Sequence, residues 1–271
     1  MDSQAVIDYW DRAVKELDAF PPQIVADTRA GTLSFSGWRD RKYGARVWWG
    51  DEDLPAVVVV AGVVTGWAPP RDGRTWVAMA PLTWSATGLP DPDGYCIREQ
   101  ALAIEQAGRV IEKLQKRPAR LIVVADGLRA AAAMGVAVGD PERVVGLTFV
   151  EPTGFVHMTG GRVLIDGKEG AALAELVRGH PAWRPAMQAA LGCFDLENLG
   201  AATKTPVAVV VGTDGGEDWL DDALRWWGWR CLNVNSKLPT LTAVLQARYF
   251  SALWADCSGD SAGATTKVAS R

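Results

Sequence analysis

The sequence predicts an α/β fold: a mostly parallel central sheet flanked by helices, with a helical insertion. Three observations carry this. Val57-Val58-Val59-Val60, Leu121-Ile122-Val123-Val124, Val144–Val150 and Val207-Ala208-Val209-Val210-Val211 are continuous apolar runs rich in β-branched residues, as expected of strands buried on both faces. Helical patterns lie between them, and strands alternating with helices of this length define βαβ units and a parallel sheet. More than fifty residues separate the Val144 strand from the Val207 strand, too many for a simple crossover. Right-handed crossovers set the C-terminal ends of such strands on one edge of the sheet, where ligands bind.

Taken in order, Ala5 to Phe20 reads as an amphipathic helix stopped by Pro21-Pro22, which cannot continue it. Two short strands follow at Thr32–Ser36 and Ala45–Trp49, with Gly37 and Gly44 as turn residues. After the Val57 strand, Ala101, Ile104, Gly108, Ile111 and Leu114 fall on one helical face. The Ala-rich segment Leu128–Val138 follows the Leu121 strand and reads as a helix able to pack tightly on a sheet. The insertion, about 153–204, contains Ala171–Arg178, closed by Gly179, and Arg184–Leu191; it is expected to form a cap over the sheet edge. A last helix begins at Pro239, with Leu241, Leu245, Tyr249 and Leu253 at i, i+4 spacing. One domain is expected over 1–257, followed by a small, polar, disordered tail from Ser258 to Arg271.

Composition limits the function. The chain has 271 residues, 48% hydrophobic and 22% charged, with a net charge of −4. That excludes a disordered chain and carries no electrostatic footprint for nucleic acid. No apolar run approaches the roughly 20 residues of a membrane helix. The opening Met1-Asp2-Ser3-Gln4 lacks the basic and apolar stretches of a signal peptide, so a cytoplasmic location is expected. The 13 Trp and 2 His favour aromatic packing or aromatic-lined pockets and leave little room for histidine chemistry. The four Cys are scattered without a C-x-x-C pair; reduced structural thiols are expected. No motif implies a cofactor or a resident metal.

One arrangement is specific. The buried strand Leu121–Val124 runs through Ala125-Asp126-Gly127-Leu128-Arg129 into the Ala-rich helix. Strand, sharp turn and helix are the context of a nucleophile elbow, small-x-nucleophile-x-small. That pattern sets Gly127 at the nucleophile position and Arg129 at the second small one.

The stretch from Asp91 to Pro152 resembles the acetyl xylan esterase and cephalosporin C deacetylase branch of the α/β-hydrolases. It has the approach Asp91-Pro92-Asp93-Gly94-Tyr95, a long helix, the strand, the elbow and its helix, then Asp140-Pro141-Glu142-Arg143-Val144 and a strand ending in Glu151-Pro152. Tyr9-Trp10-Asp11 and Glu16-Leu17 in the opening helix also resemble that branch, so the likeness covers most of Asp8 to Trp254. It implies an α/β-hydrolase fold with a degenerate catalytic triad, because three motifs depart from the family's. Gly127 stands where a Ser, Cys or Asp nucleophile belongs. Asn233-Val234-Asn235-Ser236-Lys237 stands where the triad His follows the last strand. Ala61-Gly62-Val63-Val64 replaces the His-Gly start of the oxyanion-hole loop, leaving Gly62 and Val63 as binding-loop candidates. Only the triad acid has a candidate, Asp214 in Gly212-Thr213-Asp214. Without a hydroxyl and a base within hydrogen-bond reach, serine hydrolysis has no machinery. Gly259-Asp260-Ser261-Ala262-Gly263 is a literal G-x-S-x-G match, but it follows a helix and reads as a chance match in the tail.

Other chemistry rests on the carboxylates expected at C-terminal strand ends: Asp126, Glu151 and Asp214. Clustered in a dry cleft they would raise one another's pKa and form an acid/base pair, or attract a cation. Otherwise each is solvated or bonded to loop amides, and Asp126 caps the helix beginning near Leu128. Arg129 follows the elbow and either pairs internally or binds an anion. His157 and His180 lie in the insertion, each a base candidate or a structural residue. Trp67, Trp84 and Trp219 follow strand ends and are candidates to line an apolar pocket; Gly127 and Leu128 at the elbow are further binding candidates.

The reading these residues support is a hydrolase-like pseudoenzyme that binds a small apolar or acyl-type ligand, or a partner. The alternatives are an enzyme of another class (lyase, cyclase, isomerase or Asp-dependent hydrolase) using Asp126 with Asp214 or Glu151, and a weak esterase or deacylase. Enzymes of the resembled branch often assemble into oligomers, so a homo-oligomer is within expectation.

Overall fold

The structure is a computed structural model and describes residues 2–50, 53–61, 68–82, 84–86, 88–153, 157–159, 162–164, 167–211 and 230–233. The elements in chain order are α1 (Ser3–Glu16), β1 (Ile24–Asp27), β2 (Thr32–Ser36), β3 (Lys42–Trp48), β4 (Ala56–Val60), β5 (Trp76–Met79), α2 (Cys96–Gln115), β6 (Leu121–Gly127), α3 (Arg129–Gly139), β7 (Val144–Pro152), β8 (His157–Thr159), β9 (Arg162–Leu164), α4 (Gly167–Gly179), α5 (Arg184–Gly192), α6 (Leu196–Ala202), β10 (Val207–Val211) and β11 (Arg230–Asn233).

Nine strands form one sheet in the order β1-β2-β3-β5-β4-β6-β7-β10-β11, and β8 and β9 pair separately. From β5 to β11 every neighbour is parallel, whereas β1, β2 and β3 form an antiparallel meander joined antiparallel to β5. The continuous apolar runs therefore become central parallel strands. All five residues of β4 are buried: Val58 and Val60 belong to the large core with the helices, while Val57 and Val59 face a second cluster with Trp76, Ile122 and Val124. A strand covered on both faces has no solvent side to mark by alternation.

The Ala-rich composition of α3 has a packing cause. It lies against α1, α2, β6 and β7. Trp10 of α1 is fully buried, and a Cβ added at Gly135 would meet its Cζ2 at 2.4 Å. The indole Nε1 donates to the Cys193 carbonyl at 2.9 Å, so one side chain ties α1, α3 and the segment between α5 and α6 together. Tyr9, Tyr95 and Phe194 extend this contact edge to face, the arrangement aromatic quadrupoles favour.

Several expectations shift. Gly44 lies inside β3, opposite Ser34, rather than in a turn, because β3 begins at Lys42. Strands β1 and β5 lie in segments given no strand by the sequence. Within the stretch expected as the insertion, Met187, Ala190, Leu191 and Phe194 belong to the main core, and α6 packs on α1 and α3. The helix expected from Pro239 and the tail from Ser258, including Ser261, lie outside the described residues. Among the described residues no helix is long and apolar enough to cross a membrane.

Candidate functional site

Because β4, β5, β6, β7 and β10 are parallel, their C-terminal ends share one edge of the sheet, and the elbow stands at its centre. Strand β6 continues through Asp126 to Gly127, and α3 starts two residues later. Gly127 has φ +51°, in the left-handed region where side chains are strained. The strand-to-helix turn of a nucleophile elbow is thus formed, and its tip carries no side chain. Among the described residues, a Cβ on Gly127 would meet Thr153 Oγ1, at an ordinary contact distance of 3.6 Å. The ladder also slips here, with Asp126 opposite Val150 and Gly127 opposite Pro152.

Arg129, the first residue of α3, folds back over this turn. Its Nη1 donates to Asp126 Oδ1 at 2.8 Å, and its Nη2 donates to the Leu82 carbonyl at 3.1 Å. The guanidinium so joins the elbow to the loop after β5. Asp126 is not the cap residue of α3. That position belongs to Leu128, whose backbone is already helical and whose side chain makes no capping bond; Leu128 packs instead against the core. The internal pairing expected for Arg129 is what the geometry displays.

Glu151 lies at the end of β7, the strand beside β6, with φ +46°, uncommon for a residue with a Cβ and often a mark of a constrained site. Asp126 and Glu151 therefore end adjacent strands. Trp84 is half-buried against the core, with Nε1 donating to Tyr95 Oη at 3.1 Å. His180 is exposed and stacks on Trp183 at 4.0 Å between centroids. The backbone of His157 pairs with Leu164 in the separate hairpin. Gly62, Val63, Trp67, Asp214 and Trp219 lie outside the described residues. Among the described residues no group of three or more His, Cys, Asp or Glu forms a metal site.

A cavity of about 380 Å³ opens on the same edge, one step toward the meander. Its wall joins the start of β3 (Arg41, Lys42, Tyr43), the loop after β5 (Leu82, Ser85) and the start of α2 (Cys96, Glu99). Antiparallel β3 begins where parallel β5 ends, which brings these segments together. The Ser85 amide donates to Cys96 Sγ at 3.3 Å, fastening the loop to the helix. Burial pushes the Cys96 thiol up to about 11, so it stays protonated near neutral pH. Burial, then the Glu99 charge, also raises the Tyr43 phenol, which keeps its proton and donates to Glu99 Oε1 at 3.3 Å. None of these residues except Cys96 stood out in the sequence, since no local pattern links positions 41–43 with 82–99.

The fold has solved counterparts. An acetyl xylan esterase from a Paenibacillus species superposes with a TM-score of 0.55 at 14% identity, over 77% of this chain and 79% of that one. Acetyl xylan esterase 1 from a Thermoanaerobacterium species gives 0.55 at 15% identity, over 93% of this chain and 92% of that one. No protein-family model and no curated protein sequence matches the chain. With the strand order and the elbow, these superpositions show that the chain has the α/β-hydrolase fold. At such identities the likeness speaks for the fold alone.

Proposed function

We propose that this α/β-hydrolase-fold protein is a pseudoenzyme that binds a small apolar or acyl-type ligand in the cleft above the elbow. One observation carries the reading: the elbow keeps the left-handed turn that presents a nucleophile, and the residue at its tip is Gly127. A serine mechanism needs a hydroxyl at that atom and a base beside it; here the tip offers a backbone surface for close approach. The route through Asp126 as nucleophile or general base is disfavoured by its ion pair with Arg129. Its Oδ1 is already engaged by Arg129, whose other Nη is held by the Leu82 carbonyl, so the pair would have to loosen before that oxygen could attack a substrate.

The test is turnover of short-acyl p-nitrophenyl esters, together with calorimetric binding of hexanoate. The expected result is no hydrolysis above buffer, and hexanoate binding that weakens about tenfold or more in Gly127→Asn. Asn tolerates the left-handed turn and would fill the floor of the cleft. Turnover abolished in Asp126→Asn would overturn the proposal in favour of a carboxylate-dependent enzyme. Turnover abolished only by truncation before Ser258 would overturn it in favour of the tail serine.

A further inference from the structure

The 380 Å³ cavity beside the elbow has a charged and hydroxyl-bearing wall. Among the described residues its charged lining is Arg41, Lys42 and Glu99, two cations to one carboxylate in a protein whose net charge is −4. Arg41 Nε lies 3.5 Å from Glu99 Oε1, and the Tyr43 hydroxyl bonds the same oxygen. Lys42 makes no ion pair among the described residues, so its charge is available to a ligand. The wall also holds Tyr43, 7% exposed, whose phenol and carboxylate partner form a fixed donor–acceptor pair. At ~30 Å³ for each water-sized group, the cavity has room for about a dozen non-hydrogen atoms. Its volume falls within the ordinary range of ligand sites.

From this we infer a second ligand site, for a small hydroxylated carboxylate: an anion of about six carbons whose carboxylate meets Lys42 and Arg41 and whose hydroxyls meet Glu99 and Tyr43. The two-to-one charge balance favours an anion over a zwitterion, which would bring a second cation to a carboxylate already holding Arg41. The hydroxyl component follows from Glu99 and Tyr43, since burying them against alkyl chain would leave their polar atoms poorly satisfied. The site lies beside the elbow cleft, because Leu82 lines the cavity while its carbonyl receives Arg129. It does not depend on the elbow's being inactive.

Calorimetry on the full chain with three six-carbon probes tests this: gluconate, sorbitol (hydroxyls without a carboxylate) and hexanoate (a carboxylate without hydroxyls). Gluconate is expected to bind, with affinity falling about tenfold or more in Lys42→Ala and Arg41→Ala. Those side chains are exposed, so both variants should fold, which circular dichroism checks. Sorbitol is expected not to bind, and any hexanoate binding is expected to be unchanged in Lys42→Ala. The inference is overturned if gluconate does not bind, if its affinity survives both substitutions, if sorbitol binds equally well, or if hexanoate shows the same loss in Lys42→Ala. Gly127→Asn separates the two sites: it should weaken hexanoate and leave gluconate unchanged.

Discussion

The guanidinium of Arg129 and the carboxylate of Asp126 meet at 2.8 Å across a turn whose tip is Gly127. In an elbow that delivers a nucleophile, the second position after the tip is small, as the sharp strand-to-helix turn requires. Here it bears a long cation that ties the turn to Leu82. The first consequence of the pair concerns stability.

Both side chains are between one fifth and one third exposed, so solvent screens the pair, and a coupling of about 0.5–1 kcal/mol is expected. A double-mutant cycle with Asp126→Asn and Arg129→Met, followed by urea unfolding, measures it. Arg129→Met alone should cost more than the coupling, because the Leu82 carbonyl loses its donor as well. Zero coupling would show that the two groups do not pair in solution.

Gly135 should not tolerate alanine. In an open helix, Gly→Ala gains up to about 1 kcal/mol. At this position the new methyl would stand 2.4 Å from the buried Trp10 ring, and overpacking a rigid core site costs about 1–3 kcal/mol. The clash wins, so Gly135→Ala is expected to lower the urea midpoint with an unchanged slope. A raised midpoint would mean that α1 can withdraw from α3 at little cost.

Glu105 predicts a pH dependence. It is fully buried on α2, and burial raises its carboxyl from 4.5 to about 7 against the pull of Arg143 and Arg109. Its Oε1 receives Arg109 at 3.0 Å and lies 3.2 Å from Arg143, whereas Oε2 has no hydrogen-bond partner among the described residues. The folded state thus holds this proton more tightly than the unfolded chain. The contribution to stability is complete below about pH 4.5 and is lost as the pH rises to about 7, up to about 3 kcal/mol in all. Urea unfolding across that window should show the decline, and Glu105→Gln should flatten it. An identical slope in the variant would assign the dependence to other groups.

Much of the fold was legible because its signals are local. Val57–Val60, Leu121–Val124 and Val207–Val211 are continuous apolar runs, and only strands buried on both faces need such composition. The elbow was legible for the same reason: the strand, the short turn at Gly127 and Leu128 and the Ala-rich helix are consecutive in the sequence. Trp76–Met79 was not legible as a strand. Four residues are too few to show a period, and β5 is a strand because β3 and β4 supply partners on either side. Gly44 looked like a turn residue, yet it pairs inside β3, where its neighbours' hydrogen bonds outweigh its own preference.

By itself, the sequence determined the fold class, the central strands and the place of the elbow, since each depends on residue types within one short segment. Tertiary structure decided what surrounds the elbow. Arg129 chose Asp126 and the Leu82 carbonyl only once β5 and β6 lay in one sheet. The cavity of Lys42, Tyr43, Cys96 and Glu99 exists only because an antiparallel strand begins where a parallel one ends. Such convergences join positions tens of residues apart, and chain closure over those distances leaves no period or spacing in the sequence to read.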